Sequence, residues 1–185
     1  MVAVLGIDPG RRWTAGVLRV GADALDGWTL GPVAPDGRPD ATALDNVHDL
    51  TAWGRWMARI VDAVERTIEQ YGAPVRLATE VVVPPGGRIA LADWLIPRQV
   101  VAGLLAFDPG TILVRPDGHG KAHYDRDGAG RLVRARPVQA AYPVPFHPGA
   151  RPSTWGPSEA RRGERDHERA AYDIAGAALA ILGAS

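Results

Sequence analysis

Cysteine is absent from the 185 residues. That excludes a disulfide framework, a thiolate metal site and a thiolate nucleophile. Serine occurs at only three positions, none inside a Gly-x-Ser-x-Gly elbow, which argues against a serine hydrolase. Lysine is almost missing: Lys121 is the only one, and every other basic side chain is arginine. No run of about eighteen apolar residues is present, and Met1 leads straight into an apolar strand, so neither a membrane span nor a leader peptide is expected. A cytoplasmic location follows as the default. Net charge is also lacking, with 21 basic residues against 21 acidic, which speaks against a general DNA-coating protein.

The charge is unevenly spread. Residues 1–114 carry 10 basic and 13 acidic side chains, whereas residues 115–169 carry 11 and 7. The basic excess falls in a Gly/Pro-rich irregular stretch at 115–158, as a local phosphate-contact surface requires. The length suits one domain spanning 1–185.

The most informative stretch is Val2-Ala3-Val4-Leu5-Gly6-Ile7-Asp8-Pro9-Gly10. Its apolar run predicts a strand buried on both faces, with Asp8 at the carboxyl end. Pro9-Gly10 fits the centre of a type II turn, with glycine at positive φ. Asp8 is then either a turn cap or one wall of a metal site. Trp13 to Val20 reads as a second strand. A turn containing Gly21 and Asp26-Gly27 leads to a third, Trp28 to Val33, giving an antiparallel meander. Residues 34–48 read as a loop.

Asp49 is the expected N-cap of a long amphipathic helix ending at Tyr71-Gly72. Val75 to Val83 is a second apolar strand with one acid, Glu80. A lone carboxylate buried there costs several kcal/mol unless paired or metal-bound. The alternative is an exposed strand end beside an arginine. A helix over 90–107, broken or kinked at Pro97, and a short strand Thr111 to Val114 complete an α/β pattern. Lys121 to Tyr124 and Arg131 to Arg134 fit a small hairpin. A last helix, from about Ser158 to Leu182, has a small-residue face able to lie close to a sheet. It carries Asp173, with Asp166 seven residues earlier at nearly the same helical phase and His167 about 120° off it. For Asp166 and His167 a solvated first turn is the competing reading.

Asp8, Glu80 and Asp173 are thus three acids in otherwise apolar elements. Gathered together they repel, and a divalent cation is the natural remedy. Two such ions suit phosphodiester cleavage, which makes a nuclease the leading chemistry.

Gly6-Ile7-Asp8-Pro9-Gly10 with Thr14, the strand bearing Glu80, and His167-Glu-Arg-Ala-Ala-Tyr-Asp173-Ile-Ala-Gly176 resemble the motifs of RuvC-type Holliday-junction resolvases, especially divergent actinobacterial and actinophage members. The first motif alone is shared with actin-like ATPases. The resemblance implies an RNase H-like α/β fold, a five-stranded mixed sheet (antiparallel meander plus parallel strands) flanked by helices. It implies a homodimer that resolves four-way DNA junctions in recombination and repair with Mg²⁺ or Mn²⁺, two ions in all. Asp8, Glu80 and Asp173 would be the metal ligands. Where the family places a fourth ligand, this sequence has Ala170, with His167 or Asp166 as substitutes. Arg11, Arg12, Arg88, Arg98, Lys121, Arg161, Arg162 and Arg165 are candidate phosphate contacts, and Gly118-His-Gly-Lys121 resembles the family's basic loop. The alternatives are another RNase H-like nuclease without junction specificity and a catalytically degenerate junction-binding protein.

Overall fold

In the computed structural model the described residues are 2–84, 90–116, 124–126, 132–134 and 167–183. The first strand, β1 (Ala3–Asp8), is buried on both faces as its composition requires. It pairs antiparallel with β2 (Thr14–Val20), which pairs antiparallel with β3 (Asp23–Leu30). On its other side β1 runs parallel to β4 (Val75–Glu80), and β4 runs parallel to β5 (Ile112–Val114). The sheet order is therefore β3-β2-β1-β4-β5, with β2 alone reversed. This is the five-stranded mixed sheet, an antiparallel meander joined to parallel strands, that the motifs implied. A separate antiparallel pair, β6 (Tyr124–Arg126) and β7 (Leu132–Arg134), forms the expected hairpin.

Two helices cover one face. Helix α1 (Leu50–Tyr71) begins where Asp49 accepts a hydrogen bond from Ala52 N at 2.9 Å, and ends at Gly72 in the left-handed region, φ 68°. Helix α2 (Leu91–Phe107) packs beside it. Trp56, Ile60 and Val64 of α1, with Ile96, Val100 and Leu104 of α2, bury Leu5, Ile7 and Leu77. The opposite face is covered by α3 (His167–Ile181), whose Ile174, Ala175 and Ala178 meet Val4 and Ala78, and whose Ala171 and Tyr172 meet Ala15 and Val17.

The structure differs from the sequence-based expectation in four places. Asp26-Gly27 is not a turn. The reversal falls at Gly21, φ 56°, and β3 starts at Asp23 with a bulge that leaves Leu25 outside the ladder. Asp26 instead anchors α1: Trp28 Nε1 donates to Thr67 Oγ1, which donates to Asp26 Oδ2. Second, β4 stops at Glu80 and not at Val83, so its acid stands at the strand end as Asp8 does. Third, α2 runs through Pro97, which is buried in the helix and does not end it. Fourth, Gly10 does not have positive φ. Its glycine is required because a Cβ would run into the backbone carbonyl of Trp13. The part of the last helix expected over 158–166 lies outside the described residues.

Candidate active site

Side chains alternate across a strand, so the residues that bury Leu5 and Ile7 against α1 and α2 turn Gly6 and Asp8 toward α3. Leu77 and Ala78 fix the same alternation in β4, which turns Glu80 toward α3 as well. Ile7 is in register with Thr79, so Asp8 and Glu80 are the next neighbours along two adjacent parallel strands. Both stand at the carboxyl edge of the sheet, where ligands of open α/β sheets bind.

The turn after Asp8 is held by a single hydroxyl. Thr14, fully buried, donates to Gly10 O and accepts from Gly10 N, both at 3.2 Å. Gly6 governs what lies above Asp8. A Cβ there would collide with Ala171 O and Ala175 N, so only glycine lets α3 approach this closely. That approach sets the first residue of α3 over the strand end. His167 Nδ1 lies 2.7 Å from Asp8 Oδ2, with the two side chains 28% and 19% exposed. An ionised carboxylate can only accept, so Nδ1 carries the proton and Nε2 is the ring's other nitrogen.

Asp173 is also buried on α3, 6% exposed. Asp166 lies outside the described residues. Among the described residues no three His, Asp or Glu side chains stand close enough to hold one metal ion. The donor set at the edge is still that of a hard cation. Mg²⁺ is commonly held by one or two carboxylates and completes its shell with water and substrate phosphate. Asp8 and Glu80 fit that requirement.

Two contiguous hollows flank the pair. One, of about 290 Å³, is lined by Gly10, Arg11, Arg12, Asp93, Pro97 and His167 among others. The other, of about 220 Å³, holds Glu80 and Trp94 and shares Pro9, Asp93 and Pro97 with the first. Arg12 therefore faces the space beside His167. Arg98 is exposed and stands 5.6 Å from the ring of Trp94, which lines the second hollow. Arg11 is differently used. Its guanidinium is 2.7 Å from Asp45 and 3.0 Å from Asp93, which ties the turn after Asp8 to the loop before α1 and to α2. Arg88, Lys121, Arg161, Arg162 and Arg165, and the Gly118–Lys121 loop, lie outside the described residues.

Sequence reasoning passed over one residue. Glu168 is fully buried and accepts a hydrogen bond from Thr29 Oγ1 at 3.0 Å. Its spacing to Ala171 and Tyr172, three and four residues on, was the signal that it belongs to the buried face.

With this geometry in view, comparison with solved structures finds RuvC of Thermus thermophilus in complex with a Holliday junction substrate, 16% identical, TM-score 0.48, over 100% of this chain and 98% of that one. It also finds a second Thermus thermophilus RuvC structure, 18% identical, TM-score 0.46, over 99% and 98%. Both are RuvC. No family model matches the chain, and no curated protein matches it in sequence.

Proposed function

We propose that this chain is a structure-selective endodeoxyribonuclease that hydrolyses phosphodiesters in branched DNA, four-way junctions above all, with Mg²⁺ or Mn²⁺. The observation that carries the reading is the 2.7 Å contact of His167 with Asp8 at the end of β1, with Glu80 on the neighbouring strand end. Asp8 and Glu80 would hold the ion. When bound, such an ion polarises the phosphodiester and lowers the pKa of water. His167 would orient the Asp8 carboxylate through Nδ1, leaving Nε2 to take a proton from an attacking water. Arg12, which lines the first hollow, and Arg98, beside Trp94 of the second, would neutralise phosphates of the bound strands. Two copies of the chain would set two such centres on a symmetric junction.

The test is cleavage of a labelled four-way junction in either metal, with mobility-shift controls. Paired nicks that vanish in Asp8→Asn are the expected result. Cutting of ordinary duplex or single strands without junction cutting points to another nuclease of this fold.

A second reading has its own support in Ala170, where the resemblance expects a ligand. On that reading the protein binds junctions and leaves them intact. Tight binding with no nick in Mg²⁺ or Mn²⁺ would establish it.

A further inference from the structure

The buried acid Glu168 has no part in the chemistry just described, and its burial needs a reason. A carboxylate with no exposed surface costs several kcal/mol unless hydrogen-bonded, whereas a leucine fills the same space without that cost. What a leucine cannot supply is a directional bond to Thr29.

That bond lies in a telling place. Asp8 pairs with Ala15, and Ala15 pairs with Thr29, so the three form one row across β1, β2 and β3. His167 and Glu168 are consecutive residues whose side chains diverge by about 100° around the helix. His167 reaches Asp8 at one end of the row, and Glu168 reaches Thr29 at the other. The small side chains of Ala15 and Ala171 pack between them. A helix's first turn has unsatisfied N–H groups and frays readily. One bond to Asp8 alone would let that turn roll about the helix axis. Two bonds about 100° apart around the axis prevent it.

We propose that Glu168 and Thr29 are positioning residues: their buried hydrogen bond fixes the rotation of the first turn of α3 and so holds His167 Nδ1 on Asp8. As a statement about the site's chemistry this rests on the nuclease reading, but the bond itself is observable without cleavage. The helix dipole favours an acid at this end, so Glu168 also suits the position electrostatically.

The experiment follows the His167 Nδ1 proton by NMR in the whole chain, its resonance identified by its loss in His167→Gln. In Thr29→Val, which removes the hydroxyl and keeps the shape, the resonance should disappear while the core methyl spectrum is retained. Glu168→Ala should do the same. Glu168→Gln, which still accepts from Thr29, should restore it. In junction cleavage, Thr29→Val should lower kcat by about tenfold to a hundredfold with KM unchanged, the signature of a misplaced group. Glu168→Gln should recover most of that loss. A folded Thr29→Val protein that keeps both the resonance and the wild-type kcat overturns the proposal. If the resonance behaves as stated while even the wild-type chain leaves junctions uncut, the positioning role stands and the nuclease reading falls.

Discussion

At the scale of single residues the site separates side chains that sequence proximity had grouped together. Arg11 and Arg12 follow the Asp8 turn side by side, yet Arg11 is clasped by Asp45 and Asp93 whereas Arg12 lines the hollow with His167. The two should fail differently. Both partners of Arg11 are half-exposed, and such pairs contribute about 0.2–1 kcal/mol each. Arg11→Ala should therefore lower the thermal midpoint by about 2–4 °C for a loss near 1 kcal/mol. Its effect on the salt dependence of junction binding should be small. Arg12→Ala should reduce the slope of log affinity against log salt by about one. Equal slopes for the two variants would assign the phosphate contact wrongly. His167→Ala should cost about a hundredfold or more in cleavage rate if Nε2 accepts the proton. Asp8, Glu80 and His167 stood out in the sequence because an acid inside an apolar strand, or a polar residue opening a small-residue helix, has to be explained. The partners of Arg11 were not legible, since Asp45 and Asp93 reach it only through the fold.

At the scale of elements, contact between β1 and α3 decides whether a site exists at all. Gly6 sits two residues before Asp8 on the same face and admits the helix backbone. Gly6→Ala overpacks that contact and should destabilise the protein by about 1–3 kcal/mol, read from urea unfolding. The Asp8–His167 bond should weaken with it. Tyr172 ties the same helix to the sheet, its hydroxyl donating to Ala22 O at 2.5 Å and its ring lying 4.0 Å from the Arg19 guanidinium. Burial raises the Tyr172 pKa above 10.0, outweighing the nearby positive charge of Arg19. Above pH 10 the unfolded chain therefore releases a proton that the folded chain retains, so stability falls as pH rises beyond that point. Below pH 10 this group adds no slope. Urea midpoints measured from pH 8 to 11.5 should show an alkaline decline that is shallower in Tyr172→Phe. An identical decline in that variant would assign it to other groups. Helix α1 was fully legible, because its cap, its stripe and its terminal glycine are local signals. The start of β3 was not, because Asp26-Gly27 carries turn chemistry that cross-strand pairing with Leu18 and Val17 overrides.

At the scale of the whole molecule, the mixed sheet with two helices on one face and one on the other was readable from element order, since a meander followed by strand-helix-strand leaves few arrangements. The position of α3 across β1 was not, because it depends on a contact between distant parts of the chain. Association is the other property of this scale. A symmetric junction calls for two active centres, and Leu91 and Phe107 leave apolar side chains exposed at the two ends of α2. Light scattering should find a dimer, alone or on junction DNA. A monomer under both conditions would remove the basis for paired nicks.

Tyr172 and Ala171 seat themselves on β1 and β2 across some 150 residues of intervening chain, as the Arg19–Tyr172 and Tyr172–Ala22 contacts show. During synthesis the strand that bears Asp8 leaves the ribosome long before the helix that bears His167. Long-range closures of this kind are slow and come late in folding. A growing polypeptide, or one clipped by a protease ahead of α3, thus has its acids in hand without the part that orients them. Chains stopped short of His167 should leave four-way junctions whole even where they remain folded. On the nuclease reading, such a chain is disarmed until α3 arrives.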